Sequence, residues 1–214
     1  MAHIPWGSVV VELGCGDGSK TAKILRALLA RDGAADMPRF VGLDCSSEAL
    51  AQLQRNLRRL LPELPANGMD LVEAEYVAGL EWVRQRHPDA TLCLLWLGSS
   101  VGNFSHGEAV ELLTAVQRAV GGNMQLLLCT DLWKDPGVLR AAYHDGAGVT
   151  ERFIKNGMRH ALATLGHPTA QEAEALFDYE VVVSPEKMQV GLGDFTSTLL
   201  VRQERECAAQ LLCF

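Results

Sequence analysis

The chain has 214 residues, 48% of them hydrophobic, with six cysteines and a formal net charge of −7 at pH 7. That length and composition can bury one sizeable core, and the acidic balance, with no long run of Lys or Arg, argues against a nucleic-acid surface. The cysteines (Cys15, Cys45, Cys93, Cys129, Cys207, Cys213) show no CxxC or other metal-ligand spacing, no stretch is apolar enough to span a bilayer, and Met1–Gly7 is no signal peptide; a soluble cytoplasmic protein with no metal site and no membrane partner is expected.

In chain order, Val9, Val10, Val11 and Leu13 form a short β-branched and apolar run, the pattern of a strand buried on both faces. Gly14, Gly16 and Gly18 follow at alternate positions, and Ile24, Leu25, Leu28 and Leu29 then mark one face of a helix. Residues 31–39 read as a loop, and Phe40–Leu43 as a second strand ending at Asp44. Ser46 or Ser47 caps a helix that buries Leu50, Leu53, Leu57 and Leu60, stopped by Pro62 and Pro65. Leu71–Glu75 reads as a third strand, Val77–Gln85 as a helix, and Thr91–Leu97 as a fourth strand. The loop Gly98–Phe104 leads to a helix near Gly107–Val120, and Met124–Thr130 is a fifth strand ending at Asp131. Five successive βα units predict an α/β, Rossmann-like, doubly wound and mostly parallel sheet.

From Asp135 the rhythm changes. Helical stretches near Gly137–His144 and Thr150–Leu165 precede Phe177–Val183 and Lys187–Leu192, which alternate around Ser184-Pro185-Glu186 as a hairpin would. Thr196–Val201 is a candidate further strand, and 202–214 carries no pattern.

In open α/β sheets a ligand lies beyond the C-terminal ends of the strands. The residues expected there are Gly14 to Lys20, Asp44, Glu75, Gly98 to Asn103 and Asp131. Asp44 stands where a carboxylate accepts bonds from ribose hydroxyls, or else caps the helix. Glu75 stands beside an adenine site with Tyr76 as its wall, or else is an exposed strand end. A dinucleotide fingerprint asks for glycine where this chain has Ser19, and for an acidic residue about 20 positions on; Asp44 lies 28 beyond Gly16 (44 − 16). The Glu12-Leu13-Gly14-Cys15-Gly16-Asp17-Gly18 pattern is instead similar to that of S-adenosylmethionine-dependent methyltransferases.

Trp96-Leu97-Gly98-Ser99-Ser100-Val101-Gly102-Asn103-Phe104 resembles the F-L-G-S-T-I-G-N-F segment of the histidine-specific Nα-methyltransferase family, which serves ergothioneine biosynthesis. Asp131-Leu132-Trp133-Lys134-Asp135 is similar to its D-L-x-K-D, and Ala142-Tyr143-His144-Asp145 with Gly148-Val149-Thr150 and Phe153–Asn156 to its A-Y-D-D…G-V-T-x-x-F-x-x-N. The resemblance covers roughly residues 8–193. It implies a class I methyltransferase fold with a small helical substrate insertion and an antiparallel closing hairpin. Gly14, Gly16, Lys20, Asp44, Glu75 and Tyr76 would hold S-adenosylmethionine. Lys20 would pair with the cofactor carboxylate or be a solvated first-turn lysine.

By the same resemblance, Gly98, Ser100, Asn103 and Tyr143 would line the amino-acid substrate site, Asn103 and Tyr143 holding its amino and carboxylate groups. The residue types leave helix capping open for Asn103 and core packing open for Tyr143. The domain plan that follows is 1–134 as the cofactor-binding core, 135–170 as the substrate-facing insertion, 171–201 as closing hairpin and last strand, and 202–214 unassigned.

Two departures from the family pattern accompany the match. Only seven residues precede Ser8, where the family has a longer segment, and the tail does not reproduce the family's G-E…E-x-S-x-K-[FY] element that reads the imidazole. A relative truncated at both ends is expected, associated with a missing N-terminal segment or a larger fusion. The function expected is methylation of an amino acid's α-amino group, with L-histidine as acceptor. The alternatives are another amine such as a tryptophan derivative, a non-catalytic cofactor-binding module, and a nicotinamide-dependent oxidoreductase, which Ser19 and the late Asp44 disfavour.

Overall fold

The computed structural model describes residues 4–65, 67–130, 134–166, 179–183, 187–192, 201–202 and 210–213. The chain divides into two compact units, the first holding residues 1–98, 106–130 and 208–214 and the second residues 99–105 and 131–207.

The first unit is built on a six-stranded sheet. Its strands are β1 (Val9–Leu13), β2 (Arg39–Asp44), β3 (Met69–Glu73), β4 (Leu92–Trp96), β5 (Met124–Leu128) and, numbered last along the chain, β9 (Gln210–Cys213), in the order β3-β2-β1-β4-β5-β9. The first five are mutually parallel, and β9 runs antiparallel along β5 with Gln125 opposite Cys213. Consecutive strands fill one half of the sheet and then the other, so the order reverses between β1 and β4, and a crevice opens there at the C-terminal edge. β1 and β4 are buried at every residue, as the apolar runs foretold for strands covered on both faces.

Helices α1 (Ser19–Asp36), α2 (Ser47–Leu60), α3 (Tyr76–Arg86) and α4 (His106–Val120) connect the strands. The loop expected over 31–39 is mostly helix: α1 continues through a kink at Gly33 (φ 72°, ψ 170°) to Asp36. With no proline between Ser19 and Met37, nothing ends the first segment except one glycine in a conformation other residues avoid. Ser46 caps α2 through its hydroxyl, which accepts from the Ala49 amide at 3.1 Å, and Leu50, Leu53 and Leu57 of that helix are buried. They join Leu25, Phe40 and Leu95 in the core on one face of the sheet.

β3 begins at Met69 and ends at Glu73, two residues before the expected Glu75. Pairing explains the shift: Phe40 lies opposite Met69 and Asp44 opposite Glu73, and Arg39 binds Asp70 at 2.6 Å. At the N-terminal edge Arg84 of α3 donates to the carbonyls of Val120 (2.6 Å), Pro88 (2.9 Å), Ala90 (2.9 Å) and His87 (3.1 Å), gathering the ends of α3 and α4 and the approach to β4.

The second unit contains a 3-10 turn (Ser99–Asn103), α5 (Pro136–Tyr143), α6 (Val149–Thr164), and a separate antiparallel sheet of β6 (Tyr179–Val183), β7 (Lys187–Leu192) and β8 (Val201–Arg202). The predicted hairpin therefore pairs as expected, Tyr179 opposite Leu192, but in a sheet of its own. The antiparallel strand bordering β5 comes from 210–213, in the tail whose sequence showed no pattern. Leu139 and Val181 form a small core with Tyr143, Ile154, Tyr179 and Val183 around it, and Arg140 donates to the Val181 carbonyl at 2.9 Å. Asp135 caps α5 by accepting from the Gly137 amide. Asp145 accepts from the amides of Val149 and Thr150 at the start of α6, and these backbone bonds pull its carboxyl down to about 2. Asp131–Trp133, Phe177, the Ser184-Pro185-Glu186 turn and residues 196–200 of the candidate last strand lie outside the described residues.

Candidate functional site

The loop between β1 and α1 is set by its glycines. Gly14, Gly16 and Gly18 all have positive φ (69°, 51° and 71°), so the chain alternates in hand through five residues and turns from strand to helix without bulk. Two contacts fix the turn. The amides of Gly14 and Cys15 both donate to the Leu43 carbonyl at the end of β2, at 2.9 and 3.3 Å. At Gly18 a methyl group would lie 2.2 Å from Leu53 Cδ1, so α2 packs directly on the backbone there. At Gly16 a methyl group would meet nothing within 4 Å, and the residue is exposed. That part of the loop is bare main chain.

Asp44, Tyr76 and Lys20 converge on this loop. One Asp44 carboxylate oxygen accepts from the Gly16 amide at 3.3 Å and the other from the Ser46 amide at 3.0 Å. A carboxylate offers about four lone-pair sites, so Asp44 positions the loop while keeping acceptor capacity for a diol. The helix cap offered as its alternative falls to Ser46 instead. Tyr76, at the start of α3, is half-buried and packs edge-on against the fully buried Trp96, ring centroids 5.4 Å apart. Its hydroxyl would be 3.1 Å from a methyl group on Gly14, so the phenol lies close over the loop, where a φ of 69° favours glycine. Lys20 reaches across from α1 to donate to the Leu97 carbonyl beyond β4 at 3.0 Å. An ammonium has three donors, and this bond leaves room for a second acceptor. Glu75 is exposed and sits at the N-cap position of α3 without a side-chain capping bond. It is neighbour to Tyr76 and not the end of β3.

Gly98 follows β4 and is half-buried. Ser100 is half-buried within the 3-10 turn, which exposed Asn103 ends. Because α4 starts only at His106, Asn103 is not its cap. Tyr143, the last residue of α5, is half-buried in the small second core, and its carbonyl accepts from the Tyr179 hydroxyl. His144 stacks on the Tyr179 ring with centroids 5.9 Å apart.

One residue heads the glycine pattern without figuring among the expected cofactor residues. Glu12, next to last in β1, is only 3% exposed. Thr21 of α1 donates its hydroxyl to the Glu12 carboxylate. Burial pushes the carboxyl up to about 7, against the lowering effects of Thr21 and Lys20, while Asp17 and Asp44 add to the rise. The available signal was a lone acid inside an otherwise apolar strand. Cys15 is buried in the same loop, and burial first, then Glu12 and Asp44, pushes its thiol up to about 12. Among the described residues no group of three or more His, Cys, Asp or Glu could hold a metal ion, and no helix is long and apolar enough to cross a membrane.

The residues fit S-adenosylmethionine on three observations: the uncovered backbone at Gly16, the Asp44 carboxylate with spare acceptor capacity, and the Tyr76 ring packed close beside Gly14. Comparison with known proteins points the same way. The sequence profile of a family described as histidine-specific methyltransferase, SAM-dependent, matches residues 1–192. The chain is similar to ergothioneine biosynthesis protein 1 of Neurospora crassa, 31% identical over 174 residues, covering 81% of this chain and 19% of that protein. It is 31% identical over 171 residues to a histidine N-alpha-methyltransferase of Mycobacterium tuberculosis, with 80% and 48% covered. With the N-methyltransferase fsqC of Aspergillus fumigatus it shares 31% identity over 170 residues, with 78% and 43% covered. The chain spans less than half the length of each of these relatives. A glycine loop with its carboxylate partner, together with a family profile that matches nearly the whole chain, places it in the SAM-dependent histidine-specific methyltransferase family.

Proposed function

We propose that the chain binds S-adenosylmethionine on the Gly14–Gly18 loop and transfers its methyl group to the α-amino nitrogen of an amino acid, with L-histidine as the acceptor and a reducing cytoplasm as the setting. The observation that carries the cofactor half is the Gly16–Asp44 contact, which holds a bare glycine turn against a carboxylate at the carboxyl ends of β1 and β2. The acceptor half is supported by the family match and by the similarity to histidine N-alpha-methyltransferases. Cys15, Cys45, Cys93 and Cys129 are thiols outside any disulfide, which suits the setting.

When bound, the cofactor supplies a methyl group already activated by a sulfonium, so the protein's work is proximity and alignment. Gly14 and Gly16 give main-chain access, Lys20 offers an ammonium to the cofactor carboxylate, Asp44 accepts from ribose hydroxyls, and Tyr76 with Glu75 borders the base. On the acceptor, the Asn103 amide can both donate and accept, orienting a neutral amine. Tyr143 donates to the acceptor carboxylate, and Gly98 and Ser100 are assigned to the acceptor by the family resemblance.

The test is calorimetric titration with S-adenosylmethionine, NAD as control, followed by mass spectrometry of histidine and tryptophan incubations. Binding of the first ligand only, with methylated histidine as product, is the expected result. Binding of NAD alone would refute the cofactor half, and methylated tryptophan without methylated histidine would refute the acceptor. Asn103→Ala is expected to lose methyl transfer while keeping cofactor affinity. Equal loss of both would remove Asn103 from the acceptor role.

A further inference from the structure

Arginines gather along the solvent face of α2. Arg55, Arg58 and Arg59 are exposed and stand at i, i+3 and i+4, the spacing that sets side chains on one face of a helix. Arg26 of α1 joins them at the end of α2, donating to the Leu60 carbonyl at 2.9 Å. Arg55 donates to Gln52 one turn back at 2.8 Å. Among the described residues Arg58 and Arg59 make no ion pair and no side-chain hydrogen bond. Glu63, in the loop that follows, pairs with none of the four arginines, and Asp70 is held by Arg39 at 2.6 Å. The helix dipole accounts for cations in the last turn, where Arg58 and Arg59 lie. It does not account for Arg55, which stands before that turn and adds like-charge repulsion to both of them.

Beside these arginines opens a cavity of about 360 Å³, lined by Arg58, Leu61, Pro62, Leu64, Pro65 and Met69. Arg58 is the one charged group on its wall. The wall is already built. Leu61 belongs to the core, and Leu64 and Met69 pack against that core. The Leu64 amide donates to the Leu61 carbonyl at 3.0 Å and the Gly68 amide to the Pro65 carbonyl at 2.9 Å, while two prolines fix the backbone between. A preformed apolar hollow with one cation at its wall has the anatomy of a binding site. It lies on the approach to β3, the outermost strand of the sheet, away from the Gly14–Gly18 loop.

We propose that this hollow and its arginines dock an acidic polypeptide segment of another protein, which sets one large apolar side chain among Leu61, Leu64 and Met69 and its carboxylates against Arg55, Arg58 and Arg59. Charge selects the occupant. A guanidinium takes a carboxylate through two parallel N–H donors, and a chain of acidic residues can serve several guanidiniums at once. A small carboxylate would engage Arg58 and leave Arg55 and Arg59 without a role. The chain as a whole carries −7, so its remaining surface repels an acidic partner and steers it to this face. A second copy of the chain would bring the same repulsion. The docking role lies beyond methyl transfer and does not rest on it.

The experiment follows fluorescence anisotropy of a labelled peptide, Glu-Asp-Glu-Phe-Asp-Glu, added to the chain, with the same peptide carrying Ser in place of Phe as control. The wild type is expected to bind the Phe peptide, and the Ser peptide roughly tenfold more weakly. Salt at about 0.5 M should weaken binding severalfold. The double variant R58E/R59E should bind at least roughly tenfold more weakly, with urea unfolding to check its fold. Should it not fold, R58Q carries the test with a severalfold loss. In the wild type the Met69 methyl resonance should shift with the Phe peptide and stay in place with the Ser peptide. No binding of the Phe peptide, equal affinity for the two peptides, or wild-type affinity in R58E/R59E overturns the proposal. A chain that sediments as a dimer, and that R58E/R59E returns to monomer, also overturns it by giving this face to a second copy.

Discussion

Replacing Glu12 by Gln should change how stability depends on pH, and the size of the change follows from where the carboxyl sits. Burial raises Glu12 from an ordinary 4.5 to about 7. Between those values the folded chain holds a proton that the unfolded chain has released. The stabilisation linked to that proton is fully present below pH 4.5, declines as pH rises, and is gone above about 7. At 1.36 kcal/mol per pH unit the whole span is worth about 3 kcal/mol, of which about 2.5 kcal/mol falls between pH 5 and pH 8. The assay is urea unfolding of the wild type and E12Q at both pH values, so that every other titrating group cancels in the comparison. The wild type should lose about 2.5 kcal/mol more than E12Q on going from pH 5 to pH 8. Equal losses in the two proteins would show that Glu12 is ionised at ordinary carboxylate pH, and the account of its burial would fail.

Three further outcomes are expected. Asp44→Ala removes the carboxylate that holds the Gly16 amide, and should weaken S-adenosylmethionine binding on the order of a hundredfold through the loss of charge-assisted bonds; calorimetry reading wild-type affinity would exclude Asp44 from the site. Gly18→Ala forces a side chain into a φ of 71° and a methyl group to 2.2 Å from Leu53, and should cost about 3 kcal/mol in denaturant unfolding. A cost below about 1 kcal/mol would mean that α2 does not press on the loop. At pH 8 iodoacetamide should label exposed Cys45 well before Cys15, whose thiol is buried and held near 12. Peptide mapping that finds the two labelled at the same rate would contradict the packed loop.

Much of the first unit was legible because its information is local. Buried parallel strands read as apolar runs at Val9–Val11 and Leu92–Trp96, glycines mark the turn, and Ser46 marks a helix start. What escaped depends on pairing across the chain. The register that sets β3 at Met69–Glu73 comes from its neighbour β2, and it moves Glu75 from strand end to helix start. Gln210–Cys213 is too short to declare itself, and becomes a strand only because β5 offers an open edge. The Gly33 kink is a helix resuming after one residue of left-handed backbone, which no local apolar pattern records. At the candidate site, Asp44 was expected from a strand end and Tyr76 from the resemblance, and the fold sets both beside the glycine loop. Glu12 stands in the quoted glycine pattern, but its burial and its bond to a threonine on the next helix are set by the fold.

Arg84 shows how the molecule separates two kinds of selection. At the edge of the sheet away from the glycine loop, one guanidinium gathers carbonyls from the close of α3, the close of α4 and the approach to β4. The guanidinium there neutralises the partial negative charge of helix-end carbonyls. Changes around Arg84 therefore adjust melting behaviour without passing through ligand recognition, while changes at the opposite edge are judged by both. For an engineer, that makes the Arg84 edge the place to raise heat tolerance; for a lineage, it is where sequence can drift with temperature while the chemistry stays fixed.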